Sequence, residues 1–223
     1  MDSHNIYYNN RAYQLYYPIN NTSSVVKSLL NNKIWEKKLQ EIFRHYIKPN
    51  HNVIDIGSYI GTHTLLFSIL GRKVYAFEPQ PLIFNCLKQT ISDNSNLHNI
   101  IPYNIALYNN DGTIEMGTNN DGDCSSLEFR KKKFNNNFFI NTKKLDNYNL
   151  EKIDFIKLDA EGSEFKILEG AIETIKRDRP KIVIEVWPTK TRLDKLQSFC
   201  ELLDYNITKI NKENYLLLPS ENF

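Results

Sequence analysis

The sequence predicts an α/β domain of the doubly wound class, a mostly parallel sheet covered by helices on both faces. Three observations carry that expectation. Short β-rich runs alternate with helical segments, a glycine turn joins the first strong strand to a helix, and acidic residues stand at the ends of several strands. Val53 to Ile56 reads as a buried strand stopped by Gly57, Thr62 to Leu70 as a helix ending at Gly71, and Val74 to Phe77 as the next strand. Beyond Pro79 and Pro81, Leu82 to Ser92 reads as a helix and Asn99 to Tyr103 as a third strand. Farther on come a buried-type strand at Ile153 to Leu158, one amphipathic helix at Glu164 to Lys176 and a strand at Lys181 to Val186. A helix at Lys190 to Leu203 and strands near Ile207 to Ile210 and Tyr215 to Leu218 complete the pattern.

The 223 residues suit a single core, since a chain of this size buries roughly 70% of its unfolded surface. With 28 Lys+Arg against 26 Asp+Glu, the net charge of +2 gives no electrostatic reason to expect a nucleic-acid or membrane partner. No apolar run approaches the roughly 20 residues that cross a bilayer, and the first 30 residues lack a signal-peptide core, so a cytoplasmic location is expected. Cys86, Cys124 and Cys200 are widely spaced and form neither a disulfide framework nor a zinc pattern. Asparagine is abundant, 28 residues, yet absent from Val53 to Phe84 and from Lys152 to Tyr205. It collects in expected turns, where its side chain bonds the local backbone and tolerates positive φ. Asn109-Asn110-Asp111-Gly112 accordingly reads as a hairpin turn joining Ile105–Leu107 to Thr113–Glu115, and residues 117 to 141 as a long loop whose basic run, Arg130 to Lys133, is solvated. Residues 1 to 30 show no periodicity and are expected to form a flexible arm or a lid.

The segment VIDIGSYIGTHTL places Gly57 and Gly61 at a strand-to-helix turn, and Glu78 closes the next strand. That order fits nucleotide-binding doubly wound folds, where an acid at the end of the second strand binds ribose hydroxyls. A dinucleotide site would need glycine where Tyr59 stands, and Asp55 would be a poor neighbour for pyrophosphate. A phosphate-free cofactor with adenosine and a cationic amino-acid tail fits better, with Glu78 on the ribose and Asp55 drawing the ammonium. S-adenosyl-L-methionine has those groups. In IDFIKLDAEGSEFKILEGA, Asp159 ends its strand and Glu161 and Glu164 follow across Gly162. Asp55, Glu78, Asp159 and Glu185 are therefore expected on one rim, beyond the carboxyl ends of the strands.

At these residues the chain resembles the FkbM family of S-adenosylmethionine-dependent methyltransferases, from about Ile34 to Pro188. The likeness rests on IWEKKLQEIFRHYIKPNHNVIDIGSYIGTHTL, VYAFEPQP, NIALYNNDGTIEM, and FIKLDAEGSEFKILEGA with RPKIVIEVWP. It implies a Rossmann-like class I fold, seven-stranded and mostly parallel with an antiparallel last strand, and methyl transfer to a hydroxyl oxygen. Residues 51 to 223 would be the methyltransferase domain, and residues 1 to 50 an arm and helix contributing to an acceptor site or lid. Carried over by position, Gly57, Ser58, Tyr59 and Gly61, with Thr62, would line the methionine end. Glu78 and Pro79 would lie at the ribose, Asn104 and Ala106 at the adenine, Asp123 or Ser125 at the adenine edge, and Asp159 beside the methyl. One departure is SYIGTHT, where the family commonly has alanine-asparagine at Ser58-Tyr59 and an aromatic near His63.

A neutral hydroxyl is a weak nucleophile, so a base is expected among Asp159, Glu161 and His63, with Asp159 first because it ends the central strand. His63 has a rival reading as a packed residue in the first turn of its helix. Asp159 and Glu185 would also suit a shared Mg²⁺, a less favoured arrangement because Val186-Trp187 replaces the expected neighbouring ligand. The expected acceptor is a hydroxyl on a glycan or small molecule. The alternatives are a non-catalytic cofactor-binding module and a nucleic-acid 2′-O-methyltransferase.

Overall fold

The computed structural model describes residues 1–95, 97–118 and 137–220, with 125, 126 and 136 as backbone. The main sheet is formed by β3 (Asn52–Ile56), β4 (Lys73–Phe77), β5 (Ile100–Tyr103), β10 (Phe155–Leu158), β11 (Lys181–Glu185), β12 (Tyr205–Lys209) and β13 (Asn214–Pro219). Its order is β12-β13-β11-β10-β3-β4-β5, and β13 runs antiparallel to both neighbours while the other pairs are parallel. The seven-stranded, doubly wound expectation is met.

Strand parity decides what each face holds. Val53, Val74, Phe155 and Val183 meet α2 (Lys37–Tyr46), α3 (Thr62–Leu70) and α4 (Pro81–Asp93) in one core. Ile54, Ile56, Tyr75, Phe77, Ile156, Leu158, Ile182 and Ile184 meet α5 (Glu164–Glu169), α6 (Ile172–Asp178) and α7 (Lys190–Leu203) in the other. Asp55 and Lys157 share the parity of Val53 and Phe155 and are register partners, so both are driven into the interior beneath α3.

Residues 1 to 30 are ordered structure, neither a flexible arm nor an aperiodic segment. β1 (Asp2–Tyr8) and β2 (Arg11–Tyr17) form a hairpin closed by Asn9 and Asn10 at φ 50° and 60°, the left-handed pair that a two-residue turn requires. Asn94 locks β2 onto α4 by accepting from the Gln14 N–H (3.0 Å) and donating to the Gln14 carbonyl (2.8 Å). Tyr13, Leu15 and Tyr17 join the core. α1 (Ser24–Leu30) follows, capped by the Ser23 hydroxyl, which accepts from Val26 N–H at 3.1 Å.

Two other expectations change. The turn at Asn109 to Gly112 does not make a hairpin of its flanks, because β9 (Asn136–Lys143) lies between them, parallel to β6 (Ala106–Leu107) and antiparallel to β7 (Gly112–Thr118). Asp111 draws the turn towards β9 by accepting from Lys144 N–H (2.8 Å) and Asn147 Nδ2 (2.9 Å). The expected 117–141 loop is therefore partly strand, with β8 (Ser125–Ser126) paired to β7; Arg130 to Lys133 lie outside the described residues. The single helix expected over Glu164 to Lys176 is two, α5 and α6. The chain breaks at Gly170, where a Cβ would come within 2.0 Å of the Tyr108 carbonyl oxygen, and Asp146 caps the new start through Glu173 and Thr174 N–H (3.1 and 2.8 Å).

Replacing Gly170 by Ala should therefore destabilise the fold by about 1–3 kcal/mol, seen as a lower denaturation midpoint with an unchanged slope. An unchanged midpoint would show that the Tyr108 backbone moves aside freely.

Candidate active site

A cavity of about 340 Å³ opens at the carboxyl ends of β3, β4, β10 and β11. Its walls are the loop after β3, the end of β4, the residues around β6, the loop after β10, and Ser24, Val25, Trp35 and Glu36 from the amino-terminal segment.

The first loop owes its shape to backbone bonds. Gly57 and Ser58 N–H both donate to the Phe77 carbonyl (3.0 and 3.1 Å), and the Ser58 hydroxyl donates to the Asp55 carbonyl at 2.9 Å. Gly57 stands at φ +73°, and a Cβ there would lie 1.8 Å from the Asp159 carbonyl oxygen, so glycine is required on both counts. Tyr59 adopts φ +50°, a left-handed conformation that asparagine tolerates and tyrosine does not readily adopt. Its N–H donates to Glu78 Oε2 (3.0 Å), and its hydroxyl accepts from Asn21 Nδ2 (2.7 Å). Glu78 also accepts from Gln80 N–H at 2.8 Å. Burial pushes the Glu78 carboxyl up to about 7 despite those two donors.

The second loop is clamped by Glu164. One of its oxygens accepts from Ala160 and Gly162 N–H (3.0 and 2.9 Å), and the other pairs with Arg192, whose Nη1 donates to the Gly162 carbonyl at 3.1 Å. Glu161 and Gly162 are held at φ 49° and 107°. Asp159 is thereby presented to the cavity with Lys157 Nζ 3.2 Å away. Lys157 also donates to the Gly57 carbonyl at 3.0 Å and lies 3.8 Å from Asp55. Asp159 and Glu185 each affect the other's ionisation. Burial alone would raise Asp159, but Lys157 and a hydrogen bond from Glu185 bring it below its usual range, while burial and the Asp159 charge raise Glu185.

Of the residues singled out in the sequence, Gly57, Ser58, Tyr59, Thr62, His63, Glu78, Pro79, Ala106, Asp159, Glu161 and Glu185 line the cavity. Three do not. Asp55 is fully buried beneath it, accepting from the Thr64 hydroxyl at 2.6 Å, so its carboxylate is not at the rim. Gly61 packs against α4, where an added Cβ would lie 2.8 Å from Leu87, and Asn104 braces the Glu78 and Pro79 carbonyls (2.9 and 3.0 Å). Asp123 lies outside the described residues, and Ser125 is described only as backbone in β8, paired with Thr118.

Lys157, Trp35 and Glu36 were missed. Lys157 had a readable signal, a lysine inside an apolar strand two residues before Asp159 and therefore on the same side. Glu36 had none, since its place depends on how the amino-terminal segment packs. His63 Nε2 meets Glu36 Oε2 at 2.8 Å, and its ring packs against Phe43 and Phe67. That contact supports the packed reading of His63 alongside its place on the wall.

The residues present fit a phosphate-free nucleoside. Glu78 ends β4 as a two-oxygen acceptor, and three buried polar atoms on the lining, Thr62 Oγ1, His63 Nδ1 and Ser163 Oγ, are without partners among the described residues. A divalent metal fits poorly at Asp159 and Glu185, where the Lys157 ammonium, 3.2 Å from Asp159, would repel it. Among the described residues no three His, Cys, Asp or Glu side chains are grouped to hold one.

A family model described as the methyltransferase FkbM domain matches residues 55–207. The chain is 25% identical to the 2-O-methyltransferase NoeI of Sinorhizobium fredii over 153 residues, 59% of this chain and 62% of NoeI. It is 23% identical to the methyltransferase sdnD of Sordaria araneosa over 206 residues, 75% and 78% of the two chains. Among solved structures, the FkbM methyltransferase of Methylobacillus flagellatus matches with a TM-score of 0.57 at 19% identity, over 79% of this chain and 49% of that one. Aeropyrum pernix fibrillarin, solved with natively bound S-adenosyl-L-methionine, matches at 0.51 and 12% identity over 96% and 81%. These structural likenesses speak for the fold. The chain spans less than two thirds of the length of NoeI and of the Methylobacillus protein.

Lys157→Met would leave Asp55 and Asp159 without their cation. The expected loss is towards the low end of roughly 3–5 kcal/mol, because the Asp159 side chain is 33% exposed and partly solvated. Asp159 is depressed in the folded protein, so its contribution is present above its unfolded value of 3.8 and lost as pH falls through the folded value. The deficit of the variant should thus be full at neutral pH and shrink in acid, as urea titrations at several pH values would read. A pH-independent deficit would indicate lost packing alone.

Proposed function

The chain belongs to the FkbM-domain methyltransferases, and on that premise we propose that it transfers a methyl group from S-adenosylmethionine to a hydroxyl oxygen on a sugar or other small molecule. The observation that carries this reading is the Asp159 carboxylate facing the cavity, with Lys157 Nζ 3.2 Å away and Glu185 on the same lining. In this reading Glu78 holds the ribose hydroxyls, the Gly57–Tyr59 backbone borders the methionine end, and Ile105 and Ala106 border the base. When bound, the cofactor supplies an electrophilic methyl on a sulfonium.

The chain's own work is to hold the acceptor oxygen in line, roughly 3 Å from that methyl, and to remove its proton. Asp159, held below its usual range by Lys157, accepts the acceptor hydroxyl's hydrogen bond, then its proton as the C–O bond forms and the methyl–sulfur bond breaks. Glu185 keeps Asp159 oriented by donating to it, and Lys157 offsets the charge before the transfer. The likeness to NoeI, a 2-O-methyltransferase, supports oxygen as the acceptor atom. A small molecule or glycan is favoured over nucleic acid because the lining is rich in carboxylates, which repel a phosphate backbone.

Methyl incorporation from labelled cofactor into sugars and small alcohols tests the reaction. Asp159→Asn should lower turnover by about 100-fold or more while cofactor affinity stays within about 10-fold, and near-normal turnover would remove Asp159 from its role. Glu78→Ala should weaken cofactor binding about 10- to 100-fold, the equivalent of losing charged hydrogen bonds of roughly 1.5–3 kcal/mol. Calorimetric binding unaltered by that change would displace the ribose from Glu78.

A further inference from the structure

The family match begins at residue 55, yet part of the cavity wall comes from before it, at Ser24, Val25, Trp35 and Glu36. Glu36 is held there against its backbone preference. It sits at φ 46°, ψ 48°, left-handed for a residue with a long side chain, at the start of α2. Three contacts keep it so: Gln40 N–H donates to its carbonyl (3.1 Å), Gln40 Nε2 donates to the Trp35 carbonyl (3.0 Å), and His63 Nε2 meets its Oε2 (2.8 Å). His63 is 5% exposed, and its Nδ1 is without a partner among the described residues. The imidazole thus spends its one polar contact on a single oxygen of Glu36. The other oxygen, Oε1, has no partner among the described residues, and the side chain, 25% exposed, lines the cavity.

We propose that Glu36, positioned by His63, is a specificity-determining residue that admits neutral or cationic hydroxylated acceptors and rejects anionic ones. The proposal rests on the hydroxyl-methylation reading and names the acceptor class that reading leaves open. Glu36 Oε1 is an acceptor for a hydroxyl or ammonium donor, and Trp35, half-buried on the same wall, offers an apolar face to the C–H side of a ring. Among the described lining residues an anionic group would meet Glu36 with no cation to spare, because Lys157 is already engaged by Asp159, Asp55 and the Gly57 carbonyl. The motifs that would hold the cofactor all lie within 55–207, which leaves the Trp35–Glu36 wall for the acceptor.

The test uses the full chain saturated with S-adenosylhomocysteine and three probes of one ring and different charge: methyl glucoside, glucosamine and glucuronate. In NMR titrations the wild type should bind the first two at least about 10-fold more tightly than glucuronate, Glu36→Gln should narrow the gap to within about 3-fold, and Glu36→Lys should favour glucuronate. His63→Gln should show a smaller change of the same sign, and circular dichroism would verify that each variant is folded. Cofactor-product affinity should stay within about 3-fold throughout. Unchanged discrimination in Glu36→Gln, or no binding of any probe, would overturn the proposal. A loss of S-adenosylhomocysteine affinity in Glu36→Gln would overturn it by placing Glu36 at the cofactor. A wild type that binds no S-adenosylhomocysteine would instead remove the methyltransferase reading, and this inference with it.

Discussion

The buried ammonium of Lys157 ties together the parts that make the cavity. Its position in β10 turns it towards the helices that cover one face of the sheet, where an isolated charge would be costly. It is compensated from three places at once: Asp55 on the neighbouring strand, the Gly57 carbonyl in the first loop and Asp159 in the second. Those contacts hold the ends of β3 and β10 so close that residue 57 has no room for a side chain. The glycine that the sequence offers as a cofactor signal is thus also a packing requirement.

Around that centre the carboxylates divide by environment. Asp55 is spent on Thr64 and Lys157, and Glu164 on the second loop and Arg192. Glu78, Asp159, Glu161, Glu185 and Glu36 remain on the wall. They coexist because they differ in environment and partner: Glu78 is raised by burial, Glu185 by burial and the Asp159 charge, and Asp159 has the lysine. The arrangement suits a cationic ligand, and in the proposed reaction Asp159 is the group that acts on the acceptor.

Much of the frame was legible. The strands at Val53, Val74 and Lys181 and the helix Lys190–Leu203 stand where period and punctuation placed them, and the strand expected from Ile153 begins two residues later at Phe155, because each has a local signal strong enough to survive packing. The misreadings share one cause. The break at Gly170 depends on the Tyr108 carbonyl, the separation of β6 from β7 depends on β9, and the amino-terminal hairpin is held by Asn94 on α4. The asparagine bias has structural uses. Asn9, Asn10, Asn20 and Asn32 occupy left-handed turns, and Asn94 is a buried brace.

The sequence by itself determined the alternation of strand and helix, and with it the rim on which Glu78, Asp159 and Glu185 emerge, because carboxyl ends of parallel strands necessarily lie along one edge. Tertiary structure alone decided which acids face the cavity and which are consumed beneath it. Asp55 and Asp159 share one strand parity, but Asp55 lies inside β3, level with Lys157 and covered by Thr64 on α3, while Asp159 lies past the end of β10 and faces the cavity with Lys157 beside it. It also decided that Glu36 stands opposite His63, 27 residues away, a meeting that depends on how α2 packs on α3 through Phe43 and Phe67 and that no local pattern encodes.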